Sequence, residues 1–242
     1  MPWIYKIPFV YCYRCAQRLE EIFASVVSPD EVAVVILQPI QGEGGFILPL
    51  DSFIEKIKAI WEKHQILLVA DEVQTGVCRT GKMFASEYWQ VVPDLITTAK
   101  SLSAGIPLGG GTGRVELMDG PEIGEIGTIF GGNPLTCVAA LKVIEIMQRD
   151  GFADNALALG KLVQEWFDQM QKKYELIGQI RGKGNMLALE LVKYWKTKQP
   201  AADEAKAIIR EAFQQGLFIF STGLYSNCIR LLLPLVITED QL

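Results

Sequence analysis

Apolar positions in the first part of the chain alternate between helical and strand-like spacing. Leu19, Ile22, Phe23, Val26 and Val27 share one face if residues 16–27 coil as a helix. Residues 32–37 then read as a buried strand, closed by Pro39 and the glycine-rich Gln41-Gly42-Glu43-Gly44-Gly45. Ser52 and Glu55 have the spacing of a capping box, and Phe53, Ile54, Ile57, Ile60 and Trp61 recur at helical intervals behind them. Residues 66–70 and 95–99 are two more strand-sized apolar runs. This alternation predicts parallel strands with helices covering the sheet.

After Pro134 the texture changes. Residues 135–147 form a long apolar-rich helical stretch, and a second follows with Leu159, Leu162, Val163, Trp166, Phe167 and Met170 on one face. A strand at 186–192, a helix at 202–215 and short strands near 217–221 and 229–233 complete a smaller α+β unit. The boundary falls near residue 150, which divides the chain into 1–150 and 151–242. Together these elements predict an α/β protein with a mainly parallel sheet and a smaller α+β C-terminal domain.

Composition narrows the function classes. The 242 residues carry a formal charge of −5, which argues against a nucleic-acid partner. Apolar stretches are strand-sized, too short to span a bilayer, and Met1-Pro2-Trp3-Ile4 lacks the pattern of a signal peptide. A cytoplasmic protein is expected. Five cysteines include Cys12-Tyr13-Arg14-Cys15, a CxxC, but there is no second such pair and His64 is the only histidine. A closed zinc site lacks partners of the usual spacing, so no metal is expected and the thiols are read as reduced. His64 reads as inert, and the five tryptophans as packing or surface anchors.

Asp71 and Lys100 hold the candidate chemistry. Each follows a short apolar run, and they stand 29 residues apart. In an open α/β sheet ligands bind beyond the carboxyl ends of the strands, so both charges are expected to meet in one crevice. A lysine amine with a carboxylate partner is what pyridoxal phosphate (PLP) chemistry requires: an imine-forming amine and an acceptor for the pyridinium N–H. Read locally, Asp71-Glu72 is equally a helix cap or a metal ligand, although no GxxxxGK[ST] loop accompanies it. Lys100 alone reads as a solvated surface lysine. Its setting, with Ser101, Ser103, Gly105 and Pro107 after an apolar run, favours an amine on an irregular turn with room for a planar ligand. Gly127-Thr128 ahead of Gly131-Gly132-Asn133-Pro134 suits either an anion at a helix start or a plain turn. The Gly109-Gly110-Gly111-Thr112-Gly113 run lacks the context of a dinucleotide fingerprint and reads as a tight turn.

In sequence order, these segments resemble the class III aminotransferases, the 4-aminobutyrate aminotransferase family of PLP enzymes. The matching stretches are Gln38 to Gly45, Asp71 to Gly76 with Arg79-Thr80-Gly81, and Pro93 to Leu102. Gly127 to Pro134, Arg181 to Met186 and Ile229 to Leu235 extend the likeness over nearly the whole chain. The resemblance implies the type I, aspartate aminotransferase-like fold, with 1–150 as the C-terminal portion of the large PLP-binding domain and 151–242 as an incomplete small domain. It implies that Lys100 forms the imine with the cofactor and shuttles the proton, while Asp71 holds the pyridinium nitrogen. Val73 is implied to pack on the ring and Gln74 to reach its phenolic oxygen. Thr128 is implied to bind the phosphate of a neighbouring subunit's cofactor, which makes the site depend on a homodimer. Glu43 and Arg230 are similar to the family's switch pair. There, the arginine is neutralised for an ω-amine and freed to hold the carboxylate of glutamate or 2-oxoglutarate.

The same resemblance implies that the chain is truncated, starting in the middle of family members and stopping before their last helix. The glycine-serine-rich phosphate cup and the aromatic residue stacked on the cofactor are expected upstream of Met1. Cys78 replaces a glycine of the family's Thr-Gly-x-Gly-Arg-Thr-Gly run. The expected activity is transfer of an amino group between an ω-amino compound (4-aminobutyrate, ornithine or acetylornithine-like) and 2-oxoglutarate. A racemase, decarboxylase or aminomutase on the same scaffold, or a silent remnant that only associates with other chains, are the alternatives.

Overall fold

A computed structural model describes residues 4–7 and 15–242; the CxxC and Trp3 lie outside the described residues or, for Cys15, outside the described side chains. The chain forms two compact units. The first comprises Met1–Pro39, Leu48–Gln74 and Ser86–Leu141, and the second Ile40–Ile47, Thr75–Ala85 and Lys142–Leu242.

The first unit is built on strands β1 (Val34–Leu37), β2 (Leu67–Asp71), β3 (Leu95–Thr98) and β4 (Gly110–Gly113), in that spatial order. β1, β2 and β3 run parallel, and β4 is antiparallel to β3. Helices α1 (Cys15–Ser25) and α2 (Asp51–His64) bring Leu19, Phe53, Ile54, Ile57, Ile60 and Trp61 into one core with Ile66 and Leu68. Side chains of β2 alternate, so Leu68 and Ala70 are buried while Leu67, Val69 and Asp71 face the other way. A one-turn helix α3 (Val115–Met118) follows β4, and α4 (Pro134–Arg149) runs from the first unit into the second.

The second unit is an antiparallel sheet of β5 (Ile177–Lys183), β6 (Met186–Leu191), β8 (Cys228–Leu232) and β7 (Phe220–Thr222), in that order. Helices α5 (Phe152–Lys173) and α6 (Ala202–Gln214) supply Val163, Phe167 and Ala205 to a core shared with Leu187, Leu189, Leu191 and Ile229. Buried residues of α5 form the stripe Ala156, Leu159, Gly160, Val163 and Phe167.

Several local expectations are corrected. The run 32–37 is not a buried strand: β1 is a sheet edge whose Val34 and Ile36 are exposed, because only β2 pairs with it among the described residues. The Ser52–Glu55 capping box is not made, since α2 starts two residues earlier with Leu50 as its cap. Asp51, in that first turn, instead accepts a hydrogen bond from Trp89 Nε1 at 3.0 Å. Trp166 and Met170 are exposed, so the apolar face of α5 is narrower than its periodicity implied, and α1 ends at Ser25, before the exposed Val26. Strand β5 was not anticipated; its sequence IGQIRGK carries no clean alternation.

The glycine run 109–113 is strand β4, not a tight turn. A Cβ on Gly113 would sit 2.7 Å from Leu95 Cδ2 and 2.9 Å from the Asp94 carbonyl oxygen, so the absence of a side chain lets β4 close against β3. A Cβ at Gly111 meets open space. Gly113→Ala is therefore expected to cost about 1–3 kcal/mol, and Gly111→Ala to change stability by less than about 0.5 kcal/mol, both measured by urea denaturation.

Candidate active site

Asp71 ends β2 and Lys100 follows β3, so the two stand beyond the carboxyl ends of neighbouring parallel strands. The ladder pairs Asp71 with Thr97, and the Thr97 hydroxyl donates to Asp71 Oδ1 at 3.3 Å. The Val73 backbone N–H donates to the same oxygen at 3.1 Å, and Gln38 Nε2, from the end of β1, donates to Oδ2 at 3.4 Å. Three donors from three segments therefore orient one half-buried carboxylate.

Lys100 is exposed and opens a short 3₁₀ turn, Lys100–Ser103. Its φ of 46° is left-handed, a conformation that costs energy for a residue with a Cβ. Ala104 closes the turn with φ 51°. Glu72, beside Asp71, is buried and accepts from the Ser86 N–H at 2.8 Å, while its own N–H donates to the Thr97 carbonyl at 3.0 Å. It braces the strand ends from the protein side. Val73 and Gln74 lie on the turns just after β2 and are half-buried.

Thr128 lies on an exposed turn ahead of α4, where its carbonyl accepts from the Gly131 N–H at 3.1 Å. Asn133 caps that helix: its Oδ1 accepts from the Leu135 N–H at 2.9 Å. The capping role was not read from the sequence, although an asparagine just before a proline-initiated helix is a usable signal.

Glu43 and Arg230 belong to the second unit, and the structure joins them as an ion pair across 187 positions of sequence. Arg230 sits on β8 opposite Phe220 of β7, with its guanidinium carbon 5.8 Å from the centre of the Phe220 ring. Glu43 rides on a closed loop in which Gln41 and Ile47 exchange backbone hydrogen bonds at 3.0 and 3.1 Å. Its carbonyl accepts from the Thr222 hydroxyl at 2.7 Å and from the Gly223 N–H at 3.0 Å. Thr222, Gly223 and Phe220 were missed at the sequence level, because nothing local connects residues 220–223 to residue 43.

Cys78, at the position the resemblance gives to glycine, has φ 64° and is buried; Val77 beside it has φ 55°. Both hold a left-handed backbone without the freedom of glycine. Among the described residues no group of three or more His, Cys, Asp or Glu side chains converges, and no helix is long and apolar enough to cross a membrane.

The chain matches the aminotransferase class-III family over residues 5–242. A probable 4-aminobutyrate aminotransferase of Bacillus subtilis is 40% identical over 254 aligned residues, covering 100% of this chain and 58% of that protein. A 5-aminovalerate aminotransferase of Pseudomonas aeruginosa is 40% identical over 224 residues, covering 93% of this chain and 53% of that protein. Among solved structures, an amine transaminase from an uncultivated Pseudomonas species, crystallised in its PLP-bound form, superposes with a TM-score of 0.86 at 35% identity, covering 94% of this chain and 53% of that one. The ornithine aminotransferase of Toxoplasma gondii superposes with a TM-score of 0.83 at 31% identity, covering 95% and 52%. The chain spans about half the length of the curated relatives it matches.

Burial raises the Cys228 thiol from 9.0 to about 11, against the opposing pull of the neighbouring Arg181 guanidinium. An acid whose folded pKa is raised contributes stability below its unfolded value and loses it as pH climbs toward the folded one. That contribution should fade between pH 9.0 and about 11. At pH 8 Cys228 should resist maleimide in the folded protein and label on addition of urea, read by peptide mapping. The matched family, the two superposed structures and the Asp71–Lys100 arrangement agree: the chain belongs to the class III aminotransferase family.

Proposed function

We propose that the protein is a PLP-dependent transaminase that moves an amino group between an ω-amino acid and 2-oxoglutarate. The juxtaposition of Asp71 and Lys100 beyond two neighbouring parallel strands carries this reading. The residues fit the cofactor by their chemistry. Asp71 is a carboxylate with its oxygens held by Thr97, Val73 and Gln38, as an acceptor for a pyridinium N–H requires. Bound PLP supplies an electron sink that lets the bonds at an amino-bearing carbon break.

In this reading Lys100 is the amine that attaches the cofactor and then carries the proton to and from the reacting carbon. Its exposed side chain is free to move in that role, while its left-handed backbone fixes the direction from which it starts. Val73 packs on the ring face and Gln74 reaches its phenolic oxygen. Thr128 binds the phosphate of the cofactor in a second subunit, which makes the working form a homodimer. The exposed Ile129, Phe130, Leu135, Val138 and Leu141 next to Thr128 support an interface there. A cytoplasmic location belongs to the same proposal.

Glu43 and Arg230 choose the substrate. With the carboxylate on the guanidinium, the site presents little net positive charge and accepts an ω-amine. With Glu43 swung away, Arg230 holds the second carboxylate of 2-oxoglutarate by a bidentate pair. The names of the relatives support ω-amino acids of four or five carbons as donors.

Adding PLP and then borohydride should place the cofactor's mass on the Lys100 peptide, and Lys100→Ala should abolish it. Asp71→Asn should still take the label but slow amino transfer on the order of 10²-fold. A label spread over surface lysines, with none at Lys100, would overturn the assignment.

A further inference from the structure

Arg181 lies at the centre of a buried cluster that no step above uses. It sits on β5, paired with Ala188 of β6, which in turn pairs with Arg230 of β8. Its side chain is buried. Nε donates to the Gly45 carbonyl at 2.6 Å, two residues beyond Glu43. Nη2 donates to the Cys228 sulfur at 3.1 Å, two residues before Arg230 on the same strand. Nη1 pairs with Glu190 of β6 and donates to Gln179 Oε1 at 2.9 Å. One planar guanidinium thus ties the loop bearing Glu43 to the strand bearing Arg230, with its charge balanced by Glu190.

The loop is shaped to receive it. Gly45 has φ 110°, and a Cβ there would lie 2.8 Å from Arg181 Nη2 and 3.1 Å from the Cys228 sulfur. The close approach therefore needs glycine for both space and backbone conformation. A lysine in place of Arg181 would keep the charge but not the fork that reaches several acceptors in fixed directions.

We propose that Arg181 is the positioning residue of the Glu43–Arg230 pair, holding the glutamate's loop at the distance from β8 that lets the carboxylate close on Arg230. The proposal rests on the substrate-selection reading of that pair. Arg181 itself touches neither substrate nor cofactor. Its loss should weaken neutralisation of Arg230 and so penalise the ω-amine more than the dicarboxylate.

The test uses the PLP-loaded chain and the variants Arg181→Lys, Glu43→Gln and the double variant. Arg181→Lys should raise the ratio of KM for 5-aminovalerate to KM for 2-oxoglutarate about tenfold, a change of the size expected for a lost charge-assisted hydrogen bond. The change should fall on KM rather than kcat, and Arg181→Lys should add nothing further in the Glu43→Gln background. Equal shifts of the ratio in both backgrounds, or equal loss for both substrates, would overturn the positioning role. Arg230 Nε–H exchange, followed by NMR on arginine-labelled protein and assigned with Arg230→Lys, supplies a readout independent of turnover. It should quicken several-fold in Arg181→Lys, and unchanged exchange sinks the proposal. If Glu43→Gln leaves the KM ratio unmoved, or the chain does not turn over, the substrate reading is what fails and the exchange rate alone judges Arg181. Should Arg181→Lys not fold, Cys228→Ala removes one acceptor of the same fork and must quicken Arg230 exchange for the proposal to stand.

Discussion

The parallel ladder between β2 and β3 ends with Asp71 beside Thr97, and the first unit's candidate site depends on that register. The side-chain period of a strand is two, so a slip of one residue would turn Asp71 toward the core occupied by Leu68 and Ala70. The same slip would separate its carboxylate from the Thr97 hydroxyl. Register is held on the core side by Leu68 against Ile54, Ile57 and Trp61 of α2. At the far edge, β4 lies against β3 because Gly113 has no side chain to strike Leu95. Packing on one face thus aims the chemistry on the other.

The second unit solves a different problem. Glu43 is borne by a short loop and its partner Arg230 by a strand, with most of the chain between them. The loop is fastened at its carbonyls, by Thr222 and Gly223 at Glu43 and by Arg181 at Gly45, which leaves the Glu43 carboxylate exposed. The proposed alternation of the Glu43 side chain between two positions would need its backbone to be fastened in this way. The buried guanidinium is tolerable because Glu190 balances its charge and neutral acceptors take its other N–H groups.

How much was legible depends on the range of the signal. The apolar runs ahead of Asp71 and Lys100 read correctly as strands because each is a short, strand-sized apolar run, a signal contained within a few residues. Helix α2 was found from Phe53, Ile54, Ile57, Ile60 and Trp61, although its start was misplaced because Ser52 sits within the first turn. β1 is wholly apolar, yet Ile36 is exposed, since composition does not say which strand lies at an edge. Strand β4 was misread because glycine carries a turn signal wherever it stands, and only the neighbouring Leu95 shows why a strand there needs it.

By itself, the sequence determined the parallel α/β character, the two strand ends that carry Asp71 and Lys100, and the likeness to a family over nearly all of the chain. Each is a pattern repeated within a few residues or a motif read in order. Tertiary structure alone decided that Gln38 and Thr97 hold the Asp71 carboxylate, that Glu43 meets Arg230, and that Arg181 stands behind that pair. Hydrogen bonds between distant segments depend on strand order and loop closure, which the order of residues along the chain does not display.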